Sequence, residues 1–535
     1  MESANPANRL ETTSNIYNLS VIDNIDIKEK KFTYGNIYDT ARQTAHATLQ
    51  ITFQFKLPPN LPDNPSVFFS EQSSQVTIGL SMVKDNLNKN YDRIFEELLL
   101  EKKNKIDISD IHQKVIETVE IGCKFDKPKI VILKPGPAPN SNKNAYETCD
   151  MFLNDVANTR VNIIDIACDK AIFRRLKNYE NKDLTANIIL GQWHTSKDMC
   201  QALLAAFSGY RIFNMALQLG VRYLENLEKG SDYRATCTVL ELIWAAVGIA
   251  IRRHLQDTNK TIDDIKNGSN NILKVWLNYY RWAGYWKAHK IGIRRGNFDL
   301  QIACLAAFAP LFPVTGKFRY AESVAIFLGK LHKNTQLQKR LYQVPSINIT
   351  REGHYLAYDE ALETYGVKSV KEVMTKKSGD EKNLHRQIQG SQDEIKRLSV
   401  LDEFVDQVID IDDRVVPNRL EQTWALSEQI YNAFQNPDPN SHSLFDYTTQ
   451  NTTKGFFNME TCYQHGIECM QNLLAEEVYL TKKKKSKGRG IKNLVKDSVA
   501  ALKQRKKKRK NTQNEDDTQS EDNAQNDNDT QDEDE

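Results

Sequence analysis

The sequence lacks most of the features that assign a chain to a class at sight. Its cysteines are Cys123, Cys149, Cys168, Cys200, Cys237, Cys304, Cys462 and Cys469, scattered through 535 residues with no CxxC pair. That spacing excludes a cystine-stapled framework and favours a reducing compartment. Cys462, His465 and Cys469 are close enough to suggest a metal, but no second ligand pair of matching spacing exists, so a zinc site is not expected. No secretory signal opens the chain. The longest apolar run, 239–251, is 13 residues long and contains Glu241. It is too short to span a bilayer and reads as a core helix, so no membrane partner is expected. There is no internal repeat, and no recognisable amino-terminal DNA-binding finger or helix-turn-helix. Nor is there net charge to speak of: 72 bases stand against 70 acids.

That balance conceals two opposed blocks. Residues 482–510 carry 15 Lys and Arg with one acid, Asp497, and residues 511–535 carry 11 acids and no base. The rest of the chain, 1–481, keeps 57 bases (72 less 15) and 58 acids (70 less 12). A basic run of this kind is a nuclear-import signal or a nucleic-acid contact. The expected partner is therefore DNA or another nucleic acid, the expected location is the nucleus, and the acidic end can compete for the basic block.

The body can bury a core, with 40% hydrophobic residues. The reading is a disordered amino terminus over 1–15, the first part of an α/β core over 16–195, and an all-helical insertion over 196–345. A closing part of the core over 346–375, a helical region over 376–480 and a disordered tail over 481–535 complete it. Short runs at 17–21, 31–34 and 47–55 predict an antiparallel meander, the last alternating with Leu49, Ile51, Phe53 and Phe55 on one face. Further strands are expected at 129–133, 161–167 and 188–190, with helices between, which makes a mixed sheet. From 197 to 343 only helical spacing appears. Within it, 276–295 interleaves aromatics with bases, a pattern of single-strand binders, but a helix with aromatics in the core and bases in water gives the same string.

The chain turns at 187–200. Ile188, Ile189 and Leu190 close on Gly191, so Gln192, Trp193 and His194 fall at a strand's carboxyl end, where open α/β sheets place their sites. Several strings here resemble an uncharacterised, expanded fungal family described only as a domain of unknown function. They are Ile22-Asp23-Asn24, LKPGPAPNS at 133–141, DIACDKAIFRRL at 165–176, GQWHTSKDM at 191–199, WAGYWKAHK at 282–290 and DEALE at 359–363. The resemblance covers most of 20–480 and names relatives without naming a reaction.

The order of elements also resembles the ribonuclease-H-like core of cut-and-paste transposases, which hold two magnesium ions on an Asp-Asp-Glu triad. That resemblance implies a ribonuclease-H-like mixed sheet with a large all-α insertion, and Mg as cofactor. Two metals clamp the attacking and leaving oxygens of a phosphodiester, which requires convergent carboxylates. The implied metal ligands and catalytic residues are Asp23, Asp169 and Glu363, with Asp359 and Glu360 as alternatives to the last, and with His194 beside them. Two departures point to lost activity: Lys170 where relatives more often carry Glu, and Gln192 where many carry Asp. Each acid also has an ordinary reading as a helix cap. The expected function is a transposon-derived nuclear protein acting on or binding DNA, with degenerate two-metal chemistry. The alternative is a non-catalytic nuclear protein that binds nucleic acid, chromatin or protein partners.

Overall fold

Two 13-residue strands organise the molecule: β1, Ile16–Lys28, and β2, Thr44–Lys56, pair antiparallel along their whole length from Ile16↔Lys56 to Lys28↔Thr44. With β3 (Lys129–Ile132), β4 (Ile163–Cys168) and β5 (Thr185–Leu190) they make one five-stranded sheet, ordered β3-β2-β1-β4-β5. β2 and β3 pair antiparallel, whereas β1, β4 and β5 run parallel. The computed structural model describes residues 5–13, 15–28, 44–63, 66–102, 108–123, 125–157, 163–179, 185–222, 224–229, 232–349, 352–367, 370, 384–386, 388, 419–436 and 459–480. The strand expected at 31–34, most of the charged stretch at 375–400 and the whole charged tail from 481 lie outside the described residues.

Alternation along β2 predicts one buried face and one wet face, and the structure buries both. Leu49, Ile51 and Phe53 are fully buried, and so are Thr48, Gln50 and Thr52 behind them. Gly136 explains how the polar face is covered. A Cβ there would lie 2.6 Å from the Thr148 hydroxyl and 3.0 Å from Gln50 Nε2, so only glycine lets the 133–141 loop close over the sheet. The first residues, expected to be disordered, include a 3-10 turn at Pro6–Arg9. Glu11 ties on behind it, its N–H donating to Gln54 Oε1 while its carbonyl accepts from Gln54 Nε2.

The helices used below are α1 (Met82–Lys102), α2 (Asn142–Ala157), α3 (Lys170–Leu176), α4 (Gln192–Phe207), α5 (Tyr233–Thr258), α6 (Asn271–Arg295), α7 (Phe318–Lys333), α8 (Tyr358–Leu362), α9 (Leu420–Gln435) and α10 (Met459–Glu477). From α4 to residue 343 every described element is helical. Beyond it, the apolar runs at 346–349 and 355–357, which read as two short strands in the sequence, meet only in a single bridge, Ile347↔Leu356.

The run at 239–251 belongs to a longer helix than its apolar stretch suggests. By length and composition α5 could cross a membrane, but 78% of its most apolar window is buried inside the protein, against α1, α6 and α9. Glycines seat α1 on this pair. A Cβ at Gly248 would meet the Phe95 ring at 2.5 Å, and one at Gly284 the Tyr91 ring at 2.9 Å. The aromatic string of α6 faces the core: Trp276, Tyr279, Tyr280, Trp282, Tyr285 and Trp286 are all buried, and Tyr280 stacks on Trp244 with centroids 5.7 Å apart. These rings hold helices together and present no free platform to a base.

A charged candidate site at the strand ends

The parallel pairing of β1 with β4 ends at Ile22↔Cys168. Asp23 and Asp169 are the next residues on each chain, so the register sets them side by side. β1 itself runs on to Lys28, well past the run expected at 17–21, so Asp23 does not end that strand; it sits where its neighbour stops. Asp169 caps α3, its Oδ1 accepting from the Ile172 N–H at 2.7 Å. β5 ends at Leu190, and α4 starts at Gln192, with Gly191 as N-cap.

Glycine has no side chain to cap a helix, and a distant residue supplies the missing acceptor. Asp359, on α8, accepts from the backbone N–H of Trp193 (3.1 Å) and of His194 (2.9 Å), and from the His194 ring Nδ1 (3.0 Å). A Cβ at Gly191 would stand 2.6 Å from Asp359 Oδ2, so the glycine clears the space that the carboxylate fills. A buried anion at a helix N-terminus meets both the unpaired N–H groups and the helix dipole. Burial works against ionising Asp359, but the His194 ring and the two backbone N–H groups hold its carboxyl below the usual range.

These contacts set the state of His194. Burial pulls its pKa down, yet the hydrogen bond and charge of Asp359, helped by Asp23 and Asp169, raise it to about 9. The ring is an imidazolium at neutral pH. Asp23 moves the other way from an ordinary carboxylate. Burial raises it to about 7; His194 opposes the shift, while Asp169 and Glu363 add to it. Glu363 opens the π-helical turn Glu363–Val367 that follows α8. The two alternative acids are committed elsewhere. Asp359 holds α4, and Glu360 takes a bidentate pair from Arg294 at 2.7 and 2.6 Å.

Gln192 points away from this cluster. It is buried, its Nε2 donates to the Leu190 carbonyl at 2.7 Å, and its Oε1 meets His289 Nε2 at 3.0 Å. Burial lowers His289 to about 4, so this is a neutral core contact. The other departure, Lys170, opens α3 with its ammonium 2.9 Å from the Tyr320 ring centroid. The sequence reading missed Lys197. One turn after Trp193, it sets its ammonium 3.1 Å from that ring's centroid. Burial lowers its pKa, against the opposing charges of Glu363, Asp359, Asp23 and Glu360. The i, i+4 spacing of Trp193 and Lys197 was the available signal.

Three carboxylates offer the hard oxygen donors that magnesium prefers. Their arrangement does not close on an ion, however: among the described residues no three His, Cys, Asp or Glu side chains are grouped to hold a metal. Asp169 is turned to its own helix, and the positive charges of His194 and Lys197 stand among the acids. Cys462, His465 and Cys469 on α10 make no such group either; His465 meets Glu468 at 3.3 Å, and all eight cysteines are free thiols.

Fold and site together define a mixed α/β protein, largely helical, with an acidic cluster and an imidazolium at the ends of its parallel strands. Residues 236–515, just over half of the chain, match a family described as Domain of unknown function (DUF8702), and the protein belongs to that family. The match includes α6 to α10 but none of the five strands. No curated protein and no solved structure matches the chain.

Proposed function

We propose that this is a transposon-derived, ribonuclease-H-like protein of the nucleus that binds DNA, and whose two-metal phosphodiester chemistry has degenerated. The observation that carries the reading is the strand register, which sets Asp23 beside Asp169 where the parallel pairing of β1 with β4 stops, as the resemblance to an Asp-Asp-Glu core implies. Asp169, Glu363 and His194, from three other parts of the chain, all act on the Asp23 carboxyl. The sheet order β3-β2-β1-β4-β5 supports the same fold, with three antiparallel strands extended by two parallel ones and a helical block and an acidic helix after them, although helices over 67–117 separate β2 from β3. Degeneration is favoured by the side-chain arrangement, in which an imidazolium and a lysine balance the acids that two magnesium ions would balance in an active site of this kind.

The test uses the full chain. Labelled duplex and single-stranded DNA should bind with an affinity that falls steeply between low and physiological salt, and removal of 511–535 should tighten it. A chain ending at Thr481 should lose most binding and its nuclear accumulation as a fluorescent fusion. Supercoiled DNA with magnesium or manganese should show no nicking that Asp23→Asn removes. Nicking abolished by that variant overturns the degenerate site; absence of any DNA binding overturns the reading as a whole.

A further inference from the structure

We infer that Lys170, Lys197 and Lys317 form a phosphate-binding rim beside Asp169, which grips the backbone of a nucleic-acid strand. This rests on the reading of the protein as a DNA binder and adds the contacts within the folded body. The three side chains come from different elements around the acid cluster: Lys170 and Lys317 share the Tyr320 ring, and Lys197 lies over Trp193. Lys170 opens α3, Lys197 lies in the second turn of α4, and Lys317 precedes α7.

What distinguishes them is how they are held. Lys170 Nζ lies 2.9 Å, and Lys317 Nζ 5.5 Å, from the centroid of one ring, Tyr320. Lys197 Nζ lies 3.1 Å from the Trp193 centroid and 5.7 Å from that of Tyr233. Elsewhere half-buried lysines are spent on carboxylates: Lys177 on Glu322 at 2.8 Å, Lys290 on Glu241 at 2.8 Å. Among the described residues none of the three makes an ion pair, and the one hydrogen bond in the set runs from Lys317 Nζ to Gln201 Oε1 at 3.1 Å.

A ring face fixes an ammonium by its quadrupole without occupying the N–H donors. Lys170 and Lys197 therefore arrive positioned and with donors to give, which is what a phosphate oxygen needs. The acids within reach act at longer range: Asp198 and Asp169 on Lys170, Asp198 on Lys317, and Glu363 with Asp359 on Lys197. Burial raises the Asp198 carboxyl above its usual range, and Tyr320, Lys170 and Lys317 oppose that shift.

The test keeps the charged tail in place and varies only the rim. With a labelled single-stranded oligonucleotide, K170Q/K317Q should bind about tenfold more weakly. Its plot of log affinity against log salt should flatten by about 1 per lost contact. K197Q should lose less, and K170R/K317R should keep most of the affinity. Thermal midpoints should stay within about 2 °C of the parent, because removing these lysines breaks no ion pair among the described residues and leaves no buried charge unpaired; if the double variant unfolds, K170Q alone carries the measurement. Unchanged affinity and slope in a folded K170Q/K317Q overturns the rim while leaving the tail's DNA binding intact. If the parent binds no DNA at all, calorimetry with pyrophosphate decides. Uptake lost in K170Q/K317Q assigns the rim to a free phosphate ligand, and no uptake overturns it.

Discussion

Asp165 and Asp23 lie on neighbouring strands of one sheet, and both are buried, at 1% and 7% exposure. Every polar need of Asp165 is met inside the fold. Tyr17 donates to Oδ2 at 2.7 Å, Asn187 to Oδ1 at 2.7 Å, and Arg340 to both oxygens at 2.7 and 3.0 Å. Asp23 has one short contact of its own, from the N–H of Asn24 at 2.7 Å, and its neighbours include two more acids. The first is a structural carboxylate, sited where the strands need a knot. The second is held in a setting that a fold optimised for stability alone would avoid, which is the usual mark of a site.

The sharpest way to break the comparison is Arg340→Ala. It leaves Asp165 buried without its charge partner, and the loss in denaturant-derived stability should reach about 3–5 kcal/mol. A loss as small as that of a surface pair would erase the distinction.

Asp359→Asn comes next, because it removes the anion that both caps α4 and charges His194. Stability should fall by about 1–3 kcal/mol. The His194 pKa, followed by NMR of the ring, should drop from about 9 towards the ordinary value. The parent's histidine is raised on folding, so its contribution is complete below the unfolded pKa near 6.5 and is lost as pH climbs through about 9. The variant should flatten that alkaline limb.

Asp23→Asn should act with the opposite sign. An acid raised to about 7 on folding favours the native state only while protonated, so the parent loses stability as pH rises from about 4 to about 7. The asparagine variant should match the parent at pH 4 and exceed it by about 1–2 kcal/mol at pH 8. A variant less stable at pH 8 would place Asp23 in the same class as Asp165.

The smallest effect expected is none. Chelation with EDTA should leave the thermal midpoint unmoved to within about 1 °C, since neither the acid cluster nor Cys462, His465 and Cys469 makes a ready metal group. A clear drop would show that an ion completes one of them.

Local pattern carried much of this architecture. Alternation in 47–55, apolar runs at 161–167 and 188–190, and helical spacing from 197 to 343 follow from which side chains can be buried at periods of 2 and 3.6, a property of neighbours in sequence. The blocks of charge beyond 481 are likewise plain to read. Asp23, Asp169, His194 and Glu363 could be named because the order of elements resembles an Asp-Asp-Glu core, and not because any local period singles them out.

Only the tertiary structure decided what those residues do to one another. Asp359 and His194 are 165 residues apart, and no local period links them. Which of three nearby acids turns to the cap, which to Arg294 and which towards Asp23 depends on the placement of α8 over the sheet. Gln192 looked like a lost ligand in sequence, and the fold turned it inward to His289. The lysines on Tyr320 and Trp193 were unremarked bases in the string, or were counted only as departures. Sequence determines which groups are available and which segments they ride on. Their ionisation, pairing and exposure arise from burial and from charges brought close across long chain separations, and these exist only once the sheet and helices have packed.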